Sequence, residues 1–289
     1  MQLIVKPINI NSIANLQEEI AILLPLEDFA VDYETYFSIE QIKEIRKENP
    51  NRKIYIVINK MIYNDEIENV KLLLKEIEKI QIEALFFYDI SILKLKQELN
   101  LTLDLAWNST HMVTNHKTCN YYKEKKVKYA ILSNEITLQE ILEIKEKSTI
   151  EPIINLITKP TVATSRRKLV TNYNKINNYT TKNTLTIEET ITKEKYKLIE
   201  TKHATTFKLN QLINLTSELN TLIKNNFKYF IISEEDIEQT HFKKIIEILL
   251  KSLEEKHISK EKIDEISKYV GNNTGFLYKK TIYRVKKDG

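Results

Sequence analysis

From Met1 to about Ile157 the chain alternates between short aliphatic runs and longer stretches in which apolar residues recur every three or four positions. The first pattern predicts buried parallel strands and the second amphipathic helices. "QLIV" reads as a strand and "SIANLQEEIAILL" as a helix, followed by a weak strand in "DFAVDY" and a helix in "SIEQIKEIRKENP". Ser38 suits the N-cap of that helix, and Pro50 lies beyond its stop. "KIYIVIN", "EALFFYD", "TLDLAWN", "YAILS" and "EPIINLI" continue the strand series. Between them, "NDEIENVKLLLKEIEKI", "ISILKLKQEL", "NHKTCNYYKEKK" and "TLQEILEIKEK" have helical spacing, the last with Thr137 and Glu140 in capping-box register. With an eighth strand at "YFIIS" (229–233), this α/β alternation predicts a (β/α)8 TIM-barrel-like parallel barrel. An open doubly wound sheet is the alternative.

Residues 158–200 break the rhythm with a basic, Thr/Asn-rich stretch, either an ordered insertion over one barrel face or a mobile lid. "KYKLIETKHATTFK" then reads as a hairpin, "NQLINLTSELNTLIKNN" as a helix, and "THFKKIIEILLKSLEEK" as another. "TGFLYKKTIYRVKK" predicts a turn and a terminal strand. The expected division is a barrel over 1–257, carrying the insertion, and a C-terminal extension over 258–289 packed on it.

Composition narrows the chemistry. The only glycines are Gly271, Gly275 and Gly289, so no glycine-rich phosphate loop or dinucleotide fingerprint exists in residues 1–270. One cysteine excludes an internal disulfide and a cysteine-only zinc or iron–sulfur site within this chain. With 44 basic against 40 acidic residues, net charge by itself does not call for nucleic acid, although a local basic patch can bind it. The start "MQLIVKPININS" has no secretory signal pattern, and no apolar run suits a membrane span. A soluble, cytoplasmic protein is expected.

In parallel α/β folds the polar residues that end strands line the pocket. Asn59, Asp89, Asn108 to His111, Glu135, Glu234 and Glu235 occupy such positions. They can supply carboxylates for acid–base work, amides to orient a substrate, and an imidazole to move a proton. The competing reading is that Asn59 and Asp89 cap the next helix; cap chemistry does not require the imidazole of His111. His111, His116 and Cys119 sit close enough together to raise zinc, but no fourth ligand is evident, and Cys119 fits a packing role under its strand. Arg166, Arg167 and Lys168, with Tyr173 and Tyr179 nearby, either hold RNA or an anionic small molecule, or form a solvated charge run.

Three segments, "YFSIEQIKEIRKENPNRKIYIVINK", "ALFFYDISILKLKQELNLTLDLAWNSTHMVTN" and "VKYAILSNEITLQEILEI", follow in order and spacing the pattern of the collagenase-like peptidases of family U32, which this chain resembles. "YKLIETKHATTFK" is similar to the family's hairpin after its central insertion, and "TGFLYKKTIY" to a common ending. The resemblance implies a barrel fold and a hydrolase of unassigned catalytic type acting on a peptide or small molecule. It also implies an alternative: other members serve hydroxylation of wobble uridine in tRNA, of a ribosomal cytidine, or of ubiquinone. Many of those hold an iron–sulfur cluster through cysteines, one pair of which follows the strand matching "EPIINLI". Here "TKPTVATSRRKLVTNY" has none, so the alternative is a cluster-free factor beside a paralogous subunit, expected to contact RNA. Matched to the family pattern, Asp89, His111 and Glu135 are the expected catalytic residues. Asn59, Asn108, Thr110, Arg166 and Arg167 are the expected binding residues. No metal and no cofactor bound by this chain alone are expected.

Overall fold

The computed structural model describes residues 1–109, 111–180, 183–191 and 193–279. Its first half is a regular succession: β1 (Gln2–Lys6), α1 (Ile10–Ala14), β2 (Ala21–Pro25), α2 (Ile39–Glu48), β3 (Ile54–Ile58), α3 (Ile67–Ile80), β4 (Ala84–Phe87), α4 (Ser91–Glu98), β5 (Leu105–Trp107), α5 (His116–Glu124), β6 (Tyr129–Ile131), α6 (Leu138–Lys147) and β7 (Glu151–Thr158). Local chemistry sets the helix starts. Ser38 with Gln41, and Thr137 with Glu140, form the capping boxes at α2 and α6. α3 buries Val70, Leu74, Ile77 and Ile80, one stripe at helical spacing.

The insertion follows as β8 (Thr161–Ser165), α7 (Leu169–Ile176), β9 (Thr184–Glu188), β10 (Lys195–Glu200) and β11 (Thr205–Leu209). It is an ordered four-stranded antiparallel sheet in the order β8-β11-β10-β9, and the expected hairpin is β10–β11. β12 (Ile213–Asn214), α8 (Leu219–Lys224), β13 (Tyr229–Ser233), α9 (Gln239–Glu255) and α10 (Lys260–Val270) complete the described chain.

β1 to β7 pair in parallel order, and β13 pairs in parallel with both β7 and β1, closing an eight-stranded barrel. Closure excludes the open sheet. Alternate strand residues point inward. Toward the N-terminal ends of the strands the interior is aromatic: Tyr55 packs edge-on against Phe86 and Tyr129, and Tyr129 against Tyr229, at centroid distances of 5.4, 6.4 and 5.1 Å. Ile4, Leu23, Val57, Ala106 and Ile231 fill the space between. The other strand faces pack on the helices and form the larger core. Arg52, buried, ties the turn before β2 by donating to the carbonyls of Leu16, Gln17 and Ile20.

Three sequence expectations change. "SIANLQEEIAILL" is not one helix: α1 stops at Ala14, and Ala21–Pro25 is the second strand, fully buried between β1 and β3. A four-residue apolar run looks alike in a buried strand and in a helix. "DFAVDY" is correspondingly a loop, with Asp28 and Asp32 at positive φ. "NQLINLTSELNTLIKNN" gives β12, a 3-10 turn and the short α8, because the Asn214 side chain accepts from the Thr216 backbone and hydroxyl and turns the chain. The predicted terminal strand falls largely in 280–289, outside the described residues.

Candidate functional site

The structure separates the predicted site residues by task. Asn59 spends its amide oxygen on the Val31 N–H at 2.8 Å, holding the β2–α2 loop. Asp89 accepts from the Ile62 and Ser91 N–H groups, both at 2.9 Å, which fixes the β3–α3 loop and the entry to α4. Asn59 therefore braces a neighbouring loop and caps no helix, while Asp89 joins a loop contact to a bond at the first residue of α4. His111 and Glu135 are brought together across the ends of β5 and β6, Nδ1 to Oε1 3.3 Å, each 44% exposed. Asn108 is buried, and its side chain lies beside the Tyr33 hydroxyl. Thr110 lies outside the described residues. The Arg166 guanidinium stacks 3.5 Å over the Tyr63 ring, a cation–π contact on the β3 side. Arg167 is exposed, and its carbonyl accepts from Thr205 Oγ1 at 2.8 Å. His116 turns toward Glu143 instead (3.9 Å), and Cys119 is buried with its thiol pushed up to about 11 by desolvation.

The densest chemistry sits in the mouth of the barrel, at the C-terminal ends of its strands. Lys208 descends from β11 into it, 3% exposed, and donates to both oxygens of Glu235 at 2.9 and 2.8 Å, with Asp32 at 3.7 Å. Thr161 donates to the same Asp32 carboxylate. Burial works against the Lys208 charge, but Asp32 and Glu235 outweigh it and hold the ammonium above its ordinary range. Burial raises the Glu235 carboxyl, against the pull of Lys208. Lys6, at the end of β1, is pulled down chiefly by desolvation, with Asp32 and Glu235 opposing. Tyr33 and Tyr36 close the site; burial raises both hydroxyls, Tyr36 to about 12, so both stay protonated. Lys6, Asp32, Tyr33 and Tyr36 keep partial accessibility, although protein encloses Lys6 and Tyr33. The mouth is thus a recess under the insertion sheet and not filled core.

Acidic loops of the barrel clamp this sheet. Lys197 pairs with Glu34, Lys159 with Asp236, and Asp28 with both Lys202 (2.9 Å) and His203 (3.1 Å). Asp28, Asp32 and Asp236 all sit at positive φ, 63°, 77° and 59°. Short carboxylate side chains tolerate this region better than most. The Lys159–Asp236 and Lys197 end borders a cleft of 510 Å³, so that part of the clamp meets solvent.

Sequence reasoning named Glu235 but missed Lys6, Asp32, Tyr33 and Lys208. The strand-end rule that picked Asn59 and Asp89 also points to Lys6. Asp32 and Tyr33 were hidden by reading "DFAVDY" as a strand. Which face of β11 meets the barrel has no local signal. An iron–sulfur cluster, which the family resemblance raises, does not fit this donor set, since the chain's single thiol is buried beneath β5. No helix among the described residues is long and apolar enough to cross a membrane.

Comparison with known proteins follows the same outline. The chain is 26% identical over 250 residues to the tRNA hydroxylation protein P2 of Bacillus subtilis, covering 80% of this chain and 81% of that one. It is 31% identical over 96 residues to an uncharacterised protease of Methanocaldococcus jannaschii, spanning 33% of this chain and only 23% of that protein. A solved U32 peptidase superposes with a TM-score of 0.48 at 9% identity, over 55% of this chain and 70% of that one. The sequence profile of peptidase family U32 matches residues 20–286, nearly the whole chain, and the protein belongs to that family.

Proposed function

We propose that this U32-family protein takes part in tRNA hydroxylation, as a cluster-free member working beside a cysteine-bearing paralog. The observation that carries the reading is the match to the tRNA hydroxylation protein along four-fifths of both chains. The insertion supplies a surface suited to RNA. Residues 159–212 hold eleven Lys/Arg against four Asp/Glu, which leaves the rest of the chain slightly acidic. Clamp contacts use several of these cations. Arg167, Lys168 and Lys175 make no ion pair among the described residues. Beside them Tyr173 and Tyr179, 50% and 54% exposed, form a tilted pair of rings 6.1 Å apart. Cations that track a backbone next to exposed rings that stack bases are the elements of single-stranded RNA binding. In this reading the mouth recess holds a small-molecule co-substrate, and the setting is cytoplasmic. The test is mass spectrometry of tRNA nucleosides from a strain lacking this protein. Loss of a hydroxylated wobble uridine supports the reading; an unchanged nucleoside profile rejects it.

The His111–Glu135 pair favours a second reading, peptide hydrolysis, in which Glu135 orients an imidazole that takes a proton from water. Asn59, Asp89 and Asn108 then act by holding the surrounding loops and mouth. Cleavage of gelatin or labelled peptides by the purified protein, abolished in His111→Ala, is the outcome this reading requires.

A further inference from the structure

The lysines around the barrel mouth are almost all neutralised. Lys60 pairs with Glu66, Lys159 with Asp236, Lys197 with Glu34, and Lys208 with Glu235 and Asp32. Lys6 is the exception. Among the described residues no carboxylate lies within ion-pair distance of its Nζ, and its nearest recorded neighbour is the Tyr33 ring, 5.5 Å to the centroid. Lys6 is half-buried, and a cation enclosed to that degree that serves only stability is expected to be paired, because an unpaired charge drawn away from water is costly. The carboxylates that could have paired with it, Asp32 and Glu235, are engaged by Lys208 and Thr161. Its backbone is fixed at the C-terminal end of β1, with Lys6 opposite Ser233 in the β1–β13 register.

We propose that Lys6 is a reactive amine that captures a small aldehyde or ketone in the mouth recess as an imine. Several features of the recess suit this chemistry. Desolvation, the largest influence on Lys6, favours the neutral amine, the form with a free electron pair. Asp32 faces it as the strongest opposing charge, and the Tyr33 hydroxyl, held protonated, lies in the same recess. The step balances within the site. The Nζ lone pair forms a C–N bond to the carbonyl carbon while the C=O π pair moves to oxygen. That oxygen gains a proton as the nitrogen loses one, with solvent water as the carrier. The carbinolamine then loses its hydroxyl with a further proton as water, leaving C=N. No oxidant or reductant is required. The groups facing Lys6 are Asp32 and Tyr33 from the β2–α2 loop, Lys208 from β11 and Glu235 after β13. The inference is independent of the RNA reading, since it concerns only what the recess does to a carbonyl compound.

The test is reductive trapping on the full-length protein at pH 7 with propanal and cyanoborohydride, followed by peptide mapping. Lys6 is expected to acquire the propyl mass well before the exposed Lys47 and Lys251, since desolvation favours its neutral amine, the form that attacks the carbonyl. Lys6→Arg, which keeps the charge, is expected to lose that fast site and leave slow surface labelling unchanged. Lys47→Arg, on the exposed face of α2 away from the mouth, gives a folded background in which the fast site persists. Overturning results are a Lys6 no faster than the surface lysines, or a fast site that survives in Lys6→Arg. Loss of wobble-uridine hydroxylation in a deletion strain, without any fast Lys6 labelling, would retain the RNA reading and reject this one.

Discussion

Removing Lys208 is the most direct way to ask whether the mouth is a dry electrostatic site. The side chain is 3% exposed and its partner Glu235 10%, with both carboxylate oxygens bonded to it. In Lys208→Met the apolar stem is replaced by a side chain of similar length, so the packing change is small, but Glu235 is left buried without its counter-ion. Breaking one side of a buried pair costs about 3–5 kcal/mol, and the attraction of two charges about 4 Å apart at an effective dielectric of about 20 has the same size, roughly 4 kcal/mol. Urea unfolding followed through Trp107, the single tryptophan, buried and stacked on Tyr122 at 3.8 Å, reads this as a shift in midpoint at constant slope. The double variant Lys208→Met/Glu235→Leu removes both charges and is expected to recover most of the loss. The single variant should also gain stability between pH 7 and pH 5. Glu235 without its lysine has a folded pKa raised further above its unfolded value, so folding binds a proton there as the pH falls through it. A loss below about 1 kcal/mol, with no pH dependence and no recovery in the double variant, would mean that water screens the pair as on an open surface, and the recess would have to be redrawn as a solvated groove.

Two further outcomes test the division of labour among the site residues. Asp89→Ala removes the acceptor for two backbone N–H groups and is expected to cost about 1.5–3 kcal/mol in chemical denaturation. His111→Ala, at an exposed position, should stay within about 0.5 kcal/mol of the parent. On acidification the insertion should loosen before the barrel. Ion pairing and hydrogen bonds outweigh burial in holding the carboxyls of Asp236 and Glu200 below their ordinary values of 3.8 and 4.5, and bonds from Lys202 and His203 do the same for Asp28. A depressed folded pKa contributes stability above the unfolded value that is lost as pH falls through the folded one. Protease cuts within 159–212 should therefore appear below about pH 4 while Trp107 fluorescence still reports an intact barrel.

The legible and illegible parts of this protein divide along a physical line. Strands such as Ile54–Ile58 and helices such as Ile67–Ile80 announce themselves because their signals, apolar runs, period and caps, are local. Ala21–Leu24 failed because both its faces are buried, which erases the alternation that separates strand from helix. The His111–Glu135 meeting was legible as two strand-end residues from neighbouring strands. The Lys208–Glu235–Asp32 contact was not, because it joins residues 27 and about 176 positions apart across a sheet whose docking direction no local pattern encodes.

Glycine scarcity ties the mouth to the rest of the chain, and it separates structural from functional strain by experiment. Ten described non-glycine residues have positive φ, among them Gln81 and Lys256 at the C-caps of α3 and α9, and Asp28, Asp32 and Asp236 around the insertion. A left-handed backbone costs an ordinary residue roughly 1 kcal/mol, so at a helix end glycine should improve matters. Gln81→Gly, exposed and making only a backbone cap bond, is expected to raise stability by up to about 1 kcal/mol, less the extra unfolded-state freedom of glycine. Asp32→Gly relieves the same kind of strain, yet it deletes the carboxylate that receives Thr161 and neighbours Lys208. If the strained backbone exists to aim that carboxylate, relief cannot compensate: Asp32→Gly should lose stability while Gln81→Gly gains it. The insertion amides of β11 should also exchange faster with solvent in Asp32→Gly alone. Equal gains in both variants would show that Asp32 is an ordinary turn residue, and that the clamp depends on Glu34, Asp236 and Glu235 without it.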